Sequence, residues 1–189
     1  MTGVAMDGLA LTAGSETAGL ARAAARGDRD AFDRLVQLHA DQVYRVALRM
    51  LGNADDAEDV QQETFLQAYR RLSSFRGEAA FGTWLYTIAA RLCLSRQRRR
   101  ATRPKEMLGE AVPFADPGER LAAREEAARV QGALDALPPP DRLLIVLRYI
   151  EELSHAEIGQ VLRCSPESSR SRLSRARRLF RERYLAREQ

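Results

Sequence analysis

The amino-acid sequence predicts an all-α protein made of two small helical domains joined by a flexible linker. Three observations carry this prediction. Apolar residues recur at helical spacing nearly throughout, and no stretch alternates apolar and polar residues between turn signals. Residues 101–118 gather Pro104, Gly109, Pro113, Pro117 and Gly118, which interrupt any regular element and mark a linker. The last quarter of the chain reads as a short capped helix, a tight turn and a longer arginine-crowded helix, which is the pattern of a helix-turn-helix. With 189 residues and 45% hydrophobic content, the chain has material for two small cores.

Taken in order, residues 1–16 are small and polar, and a disordered extension is expected over 1–17. The first domain is placed at 18–100. Asp28 to Met50 carries Phe32, Leu35, Val36, Val43, Val46, Ala47 and Met50 at helical spacing, and Gly52-Asn53 breaks it. Ala54 to Leu72 is the next helix, opened by Asp55 and Asp56, which suit the positive end of a helix. Ser73 to Ala79 is a loop containing Gly77, and Ala80 to about Arg100 is a third long helix. After the 101–118 linker, the second domain occupies 119–189. It begins with a helix to Ala136 that Pro138-Pro139-Pro140 stops, and Asp141 to about Glu151 follows. Ser154 and Glu157 form a capping box for a helix to Leu162, and Arg163-Cys164-Ser165 turns the chain. Ser165 caps the last helix, with Pro166 at its first position.

Charge is distributed unevenly around a net +4. Arginine gathers at 96–103 and 163–187, and acid gathers at 55–63 and 106–126. That pattern suggests two partners, a nucleic acid and a protein. In the last helix Leu173, Ala176 and Phe180 share one face. Glu167, Arg170, Ser171, Ser174, Arg178 and Arg181 share the opposite face, and Arg172 and Arg175 flank the two. A major groove admits one helix, arginine pairs with guanine edges or phosphates, and serine accepts several partners. Ser169 falls on the apolar face, where its hydroxyl is expected to bond a backbone carbonyl one turn earlier.

The helix at 54–72 has two unlike sides. Ala57, Val60, Thr64 and Ala68 should pack inward. Asp55, Asp59, Gln62 and Leu66 lie opposite, with Glu63 beside them. An apolar Leu66 amid carboxylates points to a surface that docks a basic protein rather than DNA. Downstream, Phe75, Arg76, Phe81, Trp84 and Tyr86 interleave rings with charge, and Arg91, Arg96, Arg98, Arg99 and Arg100 follow. Unpaired bases need such rings to stack on and such charges for their phosphates. Phe81 and Trp84 could equally be core residues.

Other functions have little support. Cys93 and Cys164 form no CxxC pair, and His39 and His155 have no metal-ligand spacing. No nucleophile–base constellation or phosphate-binding glycine loop stands out, so no enzyme, no cofactor and no metal are expected. Neither a signal peptide nor a membrane span is legible, and a cytoplasmic location is expected.

Several motifs together resemble one family. Asp56 to Tyr69 (DAEDVQQETFLQAY), Phe75 to Glu78 (FRGE) and Thr83 to Ala89 (TWLYTIA) are similar to region 2 of bacterial sigma factors. Leu137 to Arg142 (LPPPDR), Leu147 to Ile158 (LRYIEELSHAEI) and Arg170 to Arg177 (RSRLSRAR) are similar to region 4. The nearest group is the extracytoplasmic-function (ECF) subfamily of sigma-70 factors, and the resemblance covers about residues 20–185.

The resemblance implies that the chain binds core RNA polymerase and directs promoter-specific initiation. Asp59, Gln62 and Glu63, with Asp55 and Leu66 on the same face, would dock on the clamp helices of the largest subunit, and the flap would be a second contact. Ser74, Phe75, Arg76 and Gly77 would capture a flipped base of the −10 element. The helix from Phe81 through Trp84 and Arg91 to Arg100 would meet the melting duplex. Arg170, Ser171, Ser174 and Arg175 would read the −35 element. The linker would thread through the polymerase, with Glu106, Glu110, Asp116 and Glu119 mimicking nucleic acid. An anti-sigma factor is an implied partner, wedged between the domains or wrapped around them, and it could hold the chain near the membrane. The family's usual Gly is replaced by Arg163, and its Gly-Thr-Val run by Glu167-Ser168-Ser169. A left-handed backbone at Arg163 would therefore be strained. Two other readings remain: a helix-turn-helix regulator that binds duplex DNA as a dimer, and a sigma mimic that sequesters an anti-sigma factor.

Overall fold

The computed structural model describes residues 16–101 and 121–187. Residues 1–15 of the expected 1–17 extension and nearly all of the expected 101–118 linker lie outside these, as do Glu106, Glu110, Asp116 and Glu119. The described residues are helical and contain no strand. Residues 16–25 form α1, followed by α2 (Arg29–Leu51), α3 (Ala54–Arg71), a 3-10 turn at Leu72–Ser74 and α4 (Phe81–Ala101). The C-terminal set is α5 (Leu121–Asp135), α6 (Pro139–Tyr149), α7 (His155–Leu162) and α8 (Pro166–Leu185).

Local chemistry sets the boundaries. The Asp28 carboxylate accepts from the Ala31 backbone N–H at 3.0 Å and starts α2, and the Asn53 side chain does the same for α3 through Asp56 at 2.9 Å. Between them Gly52 adopts φ 67°, and its N–H closes α2 on the Leu48 carbonyl at 2.8 Å. The capping box at Ser154 and Glu157 is present in full, and Ser165 caps α8 through Ser168 at 3.2 Å. One boundary differs from expectation. The triple proline does not merely stop α5: α6 begins at Pro139, because the first helical positions need no backbone N–H donor.

The N-terminal helices bury Phe32, Leu35, Val43, Phe65, Phe81, Leu85 and Ile88 against α1 in one cluster. A second cluster runs across the chain. It joins Val46, Met50, Ala57 and Val60 of α2 and α3, and Tyr86, Ala90 and Cys93 of α4, to Leu134, Leu143, Leu144, Leu147, Ile158 and Leu173 of the C-terminal helices. The two halves thus share a hydrophobic cluster. Two helices make this possible. α4 buries Phe81, Leu85 and Ala89 toward the first cluster and Tyr86, Ala90 and Cys93 toward the second, so it is apolar on two sides. α6 is buried continuously from Asp141 to Leu147.

The end of α2 ties the halves together. The last carbonyls of a helix have no partner within it. Here Arg49 O accepts from Gln131 of α5 at 3.2 Å, and Met50 O accepts from Arg142 of α6 at 2.6 Å. Leu51 O accepts from Arg100 of α4 at 3.1 Å. Arg142, 7% exposed, also donates to Asp135 O at 2.7 Å and pairs with the Asp135 carboxylate at 2.9 Å. These donors are cationic or amide groups at the negative end of the α2 dipole, where positive charge is favoured.

Candidate nucleic-acid and protein-docking surfaces

The outer face of α8 carries the side chains picked from the sequence. Glu167, Arg170, Ser171, Ser174, Arg175 and Arg178 line one open cleft of about 620 Å³, while Arg172 sits half-buried at its flank. Leu173 and Ala176 turn inward as expected. The Glu167 carboxyl is held below its ordinary range by its own backbone N–H, the Ser165 hydroxyl and nearby Arg170, so it is charged at neutral pH. Arg175 also has an inward partner. Its Nη2 lies 3.1 and 3.4 Å from the carboxylate of Asp141, a residue 3% exposed on α6, while the arginine side chain stays 60% exposed.

Two details of the helix-turn-helix depart from or extend the sequence reading. Ser169 is fully buried, but its Oγ meets Nδ1 of His155 at 3.2 Å, across the α7–α8 contact, in place of the expected backbone carbonyl. Arg163 does adopt the left-handed conformation, φ 53° and ψ 52°, which is costly for a residue with a Cβ. Just upstream, Gly159 leaves no room for a side chain: a Cβ there would lie 2.6 Å from the Cys164 carbonyl oxygen, so the turn would have to shift.

The loop after α3 builds an aromatic pocket of about 470 Å³. Ser74, Phe75, Arg76, Gly77, Thr83 and Trp84 line it. Phe75 stacks obliquely on Trp84 at 5.2 Å and edge-on to Phe81 at 5.4 Å. Gly77 takes φ 74°, which lets the loop fold back over these rings. The Ser74 hydroxyl donates to Arg71 O at 2.6 Å. Phe81 corrects the sequence reading: at 3% exposure it is the floor of the cluster and offers no open face for stacking. Tyr86 likewise turns inward. Arg76, Arg91 and Arg98 are exposed. Burial, and then the neighbouring charges of Arg163 and Arg71, lower the pKa of Arg91, and of these three arginines Arg163 lines the pocket. Arg96 and Arg100 are committed elsewhere: both bind the Asp56 carboxylate, and Arg96 reaches Asp59 as well at 3.1 Å.

On α3, Asp55, Asp59, Gln62 and Leu66 are exposed and Glu63 is half-buried, while Ala57, Val60, Thr64 and Ala68 are buried. Asp59, Gln62, Glu63 and Leu66 share a cleft of about 760 Å³ with Leu92, Ser95, Arg96 and Arg99 of α4. Asp55 does not line it. Leu66 is 44% exposed at this acidic site.

One surface was not legible in the sequence. Val130, Leu134, Ile145, Tyr149, Ile150 and Phe180 form an apolar groove of about 770 Å³ among α5, α6 and α8, rimmed by Arg177, Arg178 and Arg181. It draws on three helices, and Tyr149, 52% exposed, is its only outward signal. Among the described residues, no cluster of His, Cys, Asp or Glu could hold a metal ion, and no helix is long and apolar enough to cross a membrane.

Residues 35–103 match the sigma-70 region 2 family model, and residues 127–180 match that of sigma-70 region 4. The ECF RNA polymerase sigma factor SigE of Mycolicibacterium smegmatis is 41% identical over 179 residues, covering 90% of this chain and 69% of the relative. SigW of Bacillus subtilis, also an ECF sigma factor, is 35% identical over 171 residues, covering 83% and 90%. Among solved structures, CnrH in complex with the cytosolic domain of CnrY aligns with a TM-score of 0.68 at 30% identity, covering 86% of this chain and 93% of that one. RpoE in complex with the anti-sigma factor NepR from Bartonella quintana shares the fold, with a TM-score of 0.66 at 23% identity over 80% of this chain and 95% of that one. The chain belongs to the sigma-70 family of RNA polymerase sigma factors, within its extracytoplasmic-function subfamily.

Proposed function

We propose that this chain is a promoter-specificity subunit whose three polar surfaces divide the work of initiation. The acidic cleft of Asp59, Gln62, Glu63 and Leu66, with Asp55 nearby, docks on the clamp helices of the largest polymerase subunit. The pocket of Ser74, Phe75, Arg76, Gly77 and Trp84 takes an extruded base of the −10 strand, with Arg91 along the phosphate path. The α8 cleft enters the major groove of the −35 duplex, where Arg170 and Ser171 reach base edges and Arg178 a phosphate. The apolar groove of α5, α6 and α8 suits an apolar segment of the polymerase flap. Region 2 then spans 18–100 and region 4 spans 119–189.

The single observation that carries this reading is the coexistence of a leucine-bearing acidic cleft and an arginine–serine cleft on one chain. A plain DNA regulator has no use for the first, and a sigma mimic has none for the second. The same reading makes the chain a non-enzymatic subunit acting on the nucleoid in the cytoplasm. An anti-sigma factor is its inhibitory partner and could tether it at the membrane, in line with the complexes formed by the similar structures.

Run-off transcription with purified core polymerase on genomic promoter fragments tests the proposal. Discrete transcripts that need this chain are the expected result. Duplex binding without polymerase and without transcripts would point to the regulator. Tight binding to a partner protein with neither activity would point to the mimic.

A further inference from the structure

We infer that Asp141 is a specificity-determining positioning residue for duplex reading, although it cannot touch DNA: it holds Arg175 of α8 with one guanidinium edge turned outward to a single guanine of the −35 element. The inference rests on the proposed role of the α8 cleft. Asp141 lies on α6, 34 residues before its partner. Its side chain is 4% exposed, while that of Arg175 is 60% exposed. Arg175 Nη2 donates to both carboxylate oxygens, at 3.1 and 3.4 Å. The pair is thus anchored inside the domain at one end and stands in the cleft at the other.

The surroundings of Asp141 leave it to Arg175. A carboxylate this buried needs a partner. Asp141 is the third residue of α6, in the first turn, where free backbone N–H groups ordinarily favour a carboxylate. Here Pro138, Pro139 and Pro140 precede it and have no N–H to give. The N–H groups of Asp141 and Arg142 both go to the Pro138 carbonyl, at 2.9 and 3.0 Å. The Arg142 guanidinium is turned to Met50 O and to Asp135. Among the described residues, Arg175 is the cation that pairs with this carboxylate. Arg178 of the same cleft contrasts with it: its Nε lies 3.9 Å from Glu182, and both side chains are largely exposed, a contact too open to fix a guanidinium.

The pairing shapes what Arg175 reads. A guanidinium carries five N–H donors in a planar fork. Whichever Nη2 proton the carboxylate takes, one edge of the fork keeps two parallel donors. Such an edge matches O6 and N7 of guanine, which accept it bidentately in the major groove. The carboxylate also offsets the arginine's charge, so the pair gains little from the phosphates of an arbitrary sequence. Without Asp141, Arg175 is a free cation that suits any phosphate. Loss of Asp141 therefore lowers discrimination and leaves general affinity for duplex DNA intact.

The test uses the full chain with core polymerase on a promoter found by run-off transcription, together with every single-base substitution through its −35 element. Asp141→Ala should cut the preference for guanine at one position about tenfold, the scale of one bidentate pair. Arg175→Ala should lose the preference at the same position. Random-sequence duplex, titrated with the full chain alone, should bind the Asp141→Ala variant at least as tightly as the wild type. A double variant separates positioning from support of the fold: with Arg175→Ala already present, Asp141→Ala should change no base preference further. If Asp141→Ala does not fold, Asp141→Asn, which keeps the shape without the charge, carries the same test with a smaller expected loss. Wild-type preference at every position in the folded variant would overturn the inference. So would an even loss across all positions, or a loss that Asp141→Ala still causes in the absence of Arg175. Promoter-specific transcripts from the wild type uphold the sigma assignment in each of these cases, so the two readings fail separately.

Discussion

Replacing Asp59 with arginine separates docking from folding, because the structure predicts very different magnitudes for the two. The Asp59 carboxylate lies 3.1 Å from Arg96 Nη2, with the aspartate side chain 63% exposed and the arginine 32% exposed. Ion pairs this open contribute about 0–1 kcal/mol. Arg96 keeps a second partner, Asp56, at 2.8 Å, so the substitution leaves no buried charge unpaired. The expected loss of stability is below about 1 kcal/mol, a fall in Tm of no more than about 4 °C for a chain of this size. Docking is another matter. The substitution puts a third cation beside Arg96 and Arg99 in the cleft and turns it toward a basic surface. Like-charge juxtaposition at an interface costs several kcal/mol, and about 3 kcal/mol is already a hundredfold in affinity. Thermal melting and a binding titration against core polymerase, run on the same preparation, measure both. Core binding within twofold of wild type would remove the docking assignment from this cleft. A Tm drop beyond 6 °C would show instead that the Asp59–Arg96 pair is structural.

Three further outcomes are expected. Gly159→Ala places a methyl group 2.6 Å from the Cys164 carbonyl oxygen, and because that atom is backbone the turn must shift; a loss of roughly 1–3 kcal/mol in chemical denaturation is expected, and a melt equal to wild type would refute it. Arg175→Ala should weaken −35 duplex binding and also destabilise the fold, since it strips the partner from the buried Asp141 carboxylate; Asp141→Asn, which cannot touch DNA, should weaken duplex binding too if the pair orients the guanidinium, and an unaffected titration would make Arg175 a simple surface cation. Burial pushes the Cys93 thiol up to about 12, whereas Cys164 is half-exposed on the turn; a thiol reagent at pH 8 should therefore modify one cysteine quickly and the other only on unfolding, and two fast thiols would contradict the packing of α4.

Much of the molecule was legible before any coordinates. Helix starts at Ser154 and Ser165, the break at Gly52, and the inward row of Ala57, Val60, Thr64 and Ala68 depend on interactions within a few residues, so sequence spacing reports them directly. The exposed side of α3 and the outer face of α8 follow from the same periodicity, which is why most candidate site residues are at the surface where they were expected. The left-handed turn at Arg163 was legible only through the resemblance to a family that usually has glycine there.

Tertiary structure decided what two distant segments do to each other. Phe81 and Tyr86 read as stacking rings until α4 is seen to be buried on two sides, because a one-dimensional pattern cannot say how many neighbours a helix has. Arg96 and Arg100 read as DNA cations until α3 brings Asp56 and Asp59 within reach, and Arg175 as a free base reader until α6 delivers Asp141. The shared core is the largest such case. The Pro- and Gly-rich stretch predicts two helical domains, and the unfilled carbonyls at the end of α2 with the two-sided apolar surfaces of α4 and α6 pack them against each other. Local rules determined each helix and its outward chemistry. Only packing could determine which outward groups are free, because a side chain's partner is set by where the rest of the chain returns, not by its neighbours in sequence.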